Sequence, residues 1–152
     1  MRTGLLSKGD VGMLNKYSRV ALIGCSGEKL SHAAQIRNLY TSRRFREEVR
    51  HAQDVGYRPF VLSARHGLLD LDEVREPYDE TLEDKTPEEL AEWATRVMNR
   101  LVKFLDIGPG TLYVRVYAAG VYAESLHSHL VKISKIQLEY PFGPVVQHAS
   151  AA

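Results

Sequence analysis

Two short stretches concentrate residues that can do chemistry. Gly24-Cys25-Ser26-Gly27-Glu28-Lys29 sets a thiol, a hydroxyl and an ammonium close together among small residues that let a ligand approach the backbone. Lys29 can hold a phosphate or carboxylate, and it can favour the thiolate form of Cys25. The plainer assignments are a buried small hydrophobe for Cys25 and a solvated charge for Lys29. In the second stretch, Ser63-Ala64-Arg65-His66-Gly67-Leu68-Leu69-Asp70, an imidazole and a guanidinium follow an apolar run. His66 can serve as acid, base or hydrogen-bond donor, or simply tie down a loop. Arg65 offers a planar cationic fork suited to an oxyanion.

Three further groups are weighed beside these. Glu76-Pro77-Tyr78-Asp79-Glu80-Thr81-Leu82 puts a phenol and carboxylates in a rigid turn. Asp79 there can orient His66, bind a substrate hydroxyl or amine, or be part of a solvated acidic loop. Ala119-Gly120-Val121-Tyr122 is a third loop between a strand and a helix, with Gly120 and Tyr122 as candidate substrate contacts. Arg37, Arg43 and Arg44 belong to a basic run with Arg46 and Arg50, set against Glu47 and Glu48. That run reads either as a nucleic-acid contact or as a solvated helix face laced by i, i+4 pairs. No metal site is expected: His127 and His129, two apart on a helix, point to different faces, and no zinc spacing occurs. No cofactor motif is present, the phosphate-loop pattern of glycines and Lys-Ser/Thr being absent.

The elements that must position these residues alternate between strand and helix. Arg19–Gly24 (RVALIG) is a short apolar run closed by glycine, as in a strand buried on both faces. Helix is expected over Ala33–Tyr40 and Ser42–Val55, with Ser42 as cap of the second piece. Arg58–Ala64 is the second strand, and a long polar connection runs from Arg65 to Lys85. Thr86-Pro87-Glu88-Glu89 is a capping box with proline at the first helical position. Leu90, Trp93, Val97, Leu101 and Phe104 then mark one apolar helix face. Thr111–Ala118 is a strand, Tyr122–Lys132 a helix and Lys135–Glu139 a fourth strand. The alternation implies a three-layer α/β domain with a mainly parallel four-stranded sheet and helices on both faces. Ligands of such sheets bind at the carboxyl ends of the strands, where the loops above fall.

The 152 residues suit one domain, 19–140, between a loose N-terminal arm, 1–18, and an irregular tail, 141–152. A single cysteine excludes an internal disulfide and points to a reducing compartment, the cytoplasm. No run of residues approaches a membrane span, so no membrane partner is expected. The net charge of +1 conceals an asymmetry: +7 over residues 1–69, −9 over 70–92 and +3 over 93–152. The acidic block repels phosphate and argues against a protein that only coats nucleic acid.

Four motifs in order carry a resemblance: LIGCSGEK, LYTSRRFR, VLSARHGLLDLDEVREPYDETL and AAGVYAESL. Together, from Val20 to about Leu126, they resemble a family of small bacterial and phage proteins of unknown activity. That family is distantly similar to the YaaA peroxide-stress proteins and to the catalytic domain of archaeosine synthase, whose Cys-x3-Lys spacing matches Cys25 and Lys29. Here Leu30 and Ser31 stand where archaeosine synthase has Pro-Tyr. The resemblance implies a uracil-DNA-glycosylase-like α/β fold and work on nucleobases or nucleic acid. It also implies Cys25, Ser26, Lys29, Ser42, Ser63, His66, Gly67, Tyr78 and Asp79 as pocket residues.

The expectation is an enzyme, a hydrolase or transferase acting on a nucleobase, nucleotide or base in nucleic acid, with His66, Lys29, Cys25 and Asp79 as its catalytic groups. Ser26, Gly27, Ser42, Ser63, Arg65, Gly67, Tyr78, Gly120 and Tyr122 would contact substrate. The alternatives are a non-catalytic DNA-binding stress-response protein using Arg37, Arg43 and Arg44, or a sensor of a nucleotide-like ligand.

Overall fold

The computed structural model describes residues 16–25, 27–106 and 108–141. Strand β1 (Arg19–Gly24) lies at the centre because Val20, Ala21, Leu22 and Ile23 have no side chain suited to water, and all four are fully buried. It runs parallel to β3 (Arg58–Ser63) on one side and to β6 (Leu112–Tyr117) on the other. β7 (Ile136–Glu139) extends the sheet parallel to β6, and β4 (Gly67–Asp70) closes the opposite edge antiparallel to β3. The order is β4-β3-β1-β6-β7, five strands and not the four expected.

The additional strand comes from the segment read as a polar connection. Gly67 adopts φ +80°, a left-handed conformation that suits glycine, so the chain reverses within three residues of β3. Leu68 and Leu69 are thereby buried in the sheet edge. Arg58 Nη2 donates to both carboxylate oxygens of Asp70, at 2.7 and 2.9 Å, and fastens the two strands. Within the same connection, β5 (Val74–Arg75) pairs antiparallel with β2 (Ala34–Gln35), and a short 3-10 turn covers Leu82–Asp84.

Side-chain alternation along the strands divides the core between two faces. Val20, Leu22, Phe60, Leu62, Val114 and Val116 face one layer, formed by α3 (Pro87–Leu101) and α4 (Gly120–Leu130). Ala21, Ile23, Val61 and Tyr117 face the other, formed by α1 (Ile36–Leu39) and α2 (Arg43–Asp54). The expected helix over Ala33–Tyr40 is thus one turn, its first residues being taken by β2.

The capping box of α3 is present: Glu89 N–H donates to Thr86 Oγ1 at 3.1 Å, and Thr86 N–H to the Glu89 carboxylate at 2.9 Å. Ser42 caps α2, its Oγ accepting from Phe45 N–H at 3.1 Å. α4 begins two residues before the expected start, on Gly120 at φ +57°. No helix among the described residues is long and apolar enough to cross a membrane. Of the arm expected over 1–18, residues 1–15 lie outside the described residues. The next ones are anchored and not loose: Tyr17 N–H donates to the Phe104 carbonyl at 2.7 Å, and Asp106 N–H to the Tyr17 carbonyl at 3.0 Å. Of the tail expected over 141–152, only Pro141 is described.

Candidate functional site

The register brings the carboxyl ends of three strands to one margin: Gly24 is level with Leu62 on β3, and Ile23 with Tyr117 on β6. Gly24 lets the strands approach closely there: a Cβ on it would lie 3.2 Å from the Ala118 Cβ, a tight contact that the neighbour would have to relieve. Cys25 and Ser63 therefore emerge side by side. Trp93 on α3 fixes the second of these, its indole Nε1–H donating to the Ser63 carbonyl at 2.8 Å. The loop after Cys25 is held by backbone pairing with the end of α1: Leu30 N–H donates to the Leu39 carbonyl at 2.9 Å, and Thr41 N–H to the Glu28 carbonyl at 3.0 Å. That pairing sets Lys29 opposite Tyr40.

Tyr78 joins the two loops. Its hydroxyl receives the Ser63 Oγ–H at 2.8 Å, lies 2.6 Å from the Tyr40 hydroxyl and 3.7 Å from the Cys25 Sγ. Ser63 Oγ in turn accepts from His66 N–H at 3.0 Å. Burial, then Cys25 and Tyr40, push the Tyr78 hydroxyl well above the ordinary phenol value; burial, then Cys25, does the same for Tyr40. Both phenols stay protonated at neutral pH. Their mutual hydrogen bond uses one of their two protons. Tyr122 approaches the same thiol from α4, its phenol also raised by burial and by Cys25. Its ring packs edge-on against Trp93, centroids 5.7 Å apart. Cys25 thus sits among three phenolic hydroxyls.

Lys29 Nζ lies over the Tyr78 ring, 4.5 Å from its centre, and 5.6 Å from that of Tyr40. Among the described residues it has no carboxylate partner, its one hydrogen bond being a long 3.5 Å contact to the Gly27 carbonyl. A cleft of about 420 Å³ opens in front of it, lined by Cys25, Lys29, Tyr78, Asp79, Glu83 and Tyr122, with Gly27, Pro77, Glu80 and Thr81 completing the wall. That volume is in the range of small-molecule sites. Glu80 is engaged by Lys85 at 3.0 Å, whereas Asp79 and Glu83 have no cationic partner among the described residues.

Several expected site residues take other roles. The His66 ring meets the Tyr78 ring edge-on, centroids 5.5 Å apart, but does not line the cleft. Burial first, then Arg75 and Arg65, lower its pKa below the ordinary histidine value, so the imidazole is neutral at pH 7. The carboxylates that oppose this effect are Glu73 and Glu80. Arg65 is exposed beside His66, its carbonyl accepting from Arg96. Ser42 is a helix cap, Gly67 a turn residue and Gly120 the start of α4; none of the three lines the cleft. Ser26 lies outside the described residues.

Tyr40 and Thr81 join the site without having been singled out. Tyr40 lies in LYTSRRFR and Thr81 in EPYDETL, beside the expected contacts Ser42, Tyr78 and Asp79. The arginines Arg37, Arg43 and Arg44 each have a carboxylate partner: Asp72, Glu47 at 2.9 Å and Glu48 at 3.7 Å respectively. Among the described residues, no three histidine, cysteine or carboxylate side chains converge as metal ligands would.

A family model, that of the family of unknown function DUF6884, matches residues 20–145 and so takes in every loop of the cleft. No curated protein and no solved structure matches the chain.

Proposed function

The chain belongs to the DUF6884 family, and we propose, from the geometry of its cleft, that it is an enzyme acting on a nucleobase, free or within a nucleotide or nucleic acid, by glycosidic-bond or base-modification chemistry. One observation carries the reading: a thiol, an ammonium and two carboxylates without ion pairs among the described residues, and protonated phenols share a cleft at the carboxyl ends of parallel strands.

A heterocycle offers both kinds of edge that such a cleft can meet. Lys29 faces a ring carbonyl or the negative charge that develops on a departing base, where a fixed cation is worth most. Asp79 accepts from a ring N–H or an exocyclic amine. In glycosidic cleavage it would take the proton of the attacking water as oxygen bonds to the sugar carbon and the base leaves with the bonding electrons. Tyr78, whose hydroxyl lies 3.7 Å from the Cys25 Sγ, holds the sulfur toward the ligand with Tyr40 and Tyr122 around it, whether it attacks or only shapes the wall. Neutral His66, packed on Tyr78, serves as a positioning residue. The similarity of the motifs to YaaA and archaeosine synthase agrees with a base-directed role and a uracil-DNA-glycosylase-like fold.

The test is turnover on a panel of nucleosides, nucleotides and oligonucleotides, followed by base release or mass change. Lys29→Ala and Asp79→Asn are each expected to lower kcat by about 10²–10³, the usual cost of removing one preorganised electrostatic group. Unchanged turnover in both variants would refute the reading.

A further inference from the structure

The cleft is poorly suited to a phosphate. Its cation Lys29, without an ion pair among the described residues, is opposed by Asp79 and Glu83, which would repel a phosphoryl group placed beside the base. The cations suited to phosphate stand next to it, on the outer face of α2. Arg46 and Arg50 both line two adjoining grooves there, of about 510 and 230 Å³. Arg43 and Thr41 border the first, Arg37 and Gln53 the second. Four arginines meet only two paired carboxylates, Glu47 on Arg43 and Asp72 on Arg37. Arg50 has no ion pair among the described residues, and Arg46 only donates to the Thr41 carbonyl at 2.9 Å. The two stand one helical turn apart, about 6 Å along the axis.

The groove and the cleft are separated by a single backbone pairing. Thr41, on the rim of the groove, is bonded to Glu28, and Tyr40 pairs with Lys29, which lines the cleft. A polymer with a base in the cleft can therefore lay its neighbouring phosphates on α2. A stacked base of a duplex cannot reach a cleft of this kind unless it leaves the stack.

Resting on the base-directed reading of the cleft, we propose that the outer face of α2, through Arg46 and Arg50 with Arg37 and Arg43 beside them, binds the phosphate backbone of a single-stranded nucleic acid whose target base enters the cleft. The substrate is a strand and not a free base, and the acidic cleft wall directs its phosphates outward.

The experiment is fluorescence anisotropy of a fluorescein-labelled single-stranded DNA oligonucleotide titrated with the full chain over a range of salt concentrations. Removing two phosphate contacts should flatten the slope of log affinity against log salt by about 1.4 in Arg46→Gln/Arg50→Gln, and by about 0.7 in Arg50→Gln alone, which removes no hydrogen bond or ion pair among the described residues. Lys29→Ala should leave the slope within about 0.7 of wild type. An unchanged slope in the double variant, or displacement of the oligonucleotide by polyglutamate at equal charge concentration, would overturn the proposal. The two readings fail separately. Turnover of free nucleosides with normal slopes in the arginine variants removes the strand and keeps the cleft enzyme. Arginine-dependent oligonucleotide binding without turnover of any base keeps the phosphate face and removes the enzyme.

Discussion

The cleft and the outer face of α2 solve opposite problems with polar groups. At the cleft, hydroxyls are removed from water and each is held by the next: His66 N–H to Ser63, Ser63 to Tyr78, Tyr78 beside Tyr40 and Cys25. On α2 the guanidinium groups stay in solvent, Arg43 being 90% exposed, and their partners can be exchanged at little cost. Buried networks are costly to disturb and fix geometry, as chemistry requires. Exposed arginines adapt to a partner of variable shape, as a backbone does. The same helix also turns a buried carboxylate inward: Glu48, with both oxygens lacking a hydrogen bond among the described residues, is pushed up to about 7 by burial, against Arg44.

The sharpest way to break the contrast is Tyr78→Phe. It leaves the Ser63 and Tyr40 hydroxyls without their partner, so stability should fall by about 1–3 kcal/mol in urea denaturation. Oligonucleotide binding at α2 should keep its salt slope. A cleft that were merely solvated would tolerate the change within about 0.5 kcal/mol, as surface positions do.

Next in size is a pH effect of opposite sign in the two regions. The folded-state pKa of Glu48 lies above its unfolded value near 4.5, so the folded chain holds the proton more tightly. Its contribution is fully present below 4.5 and is lost as pH rises through about 7. Glu48→Gln should therefore stabilise the protein at pH 8, on the order of 1 kcal/mol, and change little at pH 4.5. His66 is lowered instead, so its contribution is present above the unfolded value of 6.5 and is lost on acidification through its lower folded value. His66→Ala should flatten that acid side alone. Thermal melts across pH measure both.

Of similar size, but at all pH values, is Thr86→Ala, which removes the capping box of α3 and should cost about 1 kcal/mol. Because Trp93 lies two turns inside the helix, ligand binding in the cleft should be unaffected, as calorimetry of the variant would show.

The sequence was most readable where one physical rule acted alone. Arg19–Gly24 and the capping box at Thr86 were legible because an unbroken apolar run and a side-chain cap need no distant partner. β4 was not, because a four-residue edge strand is specified by Gly67 turning the chain back onto β3, a tertiary event hidden in a polar segment. The loops of the cleft were legible as strand ends, and Cys25, Lys29, Tyr78 and Asp79 do meet there. His66 is close in sequence to the right strand end, yet its ring lies against Tyr78 outside the cleft lining. Tyr40 was missed since a tyrosine following an apolar helical turn reads as core, and its hydroxyl gains meaning only from Tyr78. On α2, i, i+4 spacing pairs Arg43 with Glu47 and Arg44 with Glu48; Arg46 has no carboxylate at that spacing, and Arg50, four residues before Asp54, forms no ion pair among the described residues.

Cys25, the one cysteine of the chain, reports on the cleft directly. Its alkylation by iodoacetamide, followed by intact mass, should slow at least about tenfold in the presence of a nucleoside or oligonucleotide that raises Tm, and Lys29→Ala should abolish the protection. Alkylation at the same rate with and without such a ligand would contradict a cleft in which thiol, ammonium and base share one space.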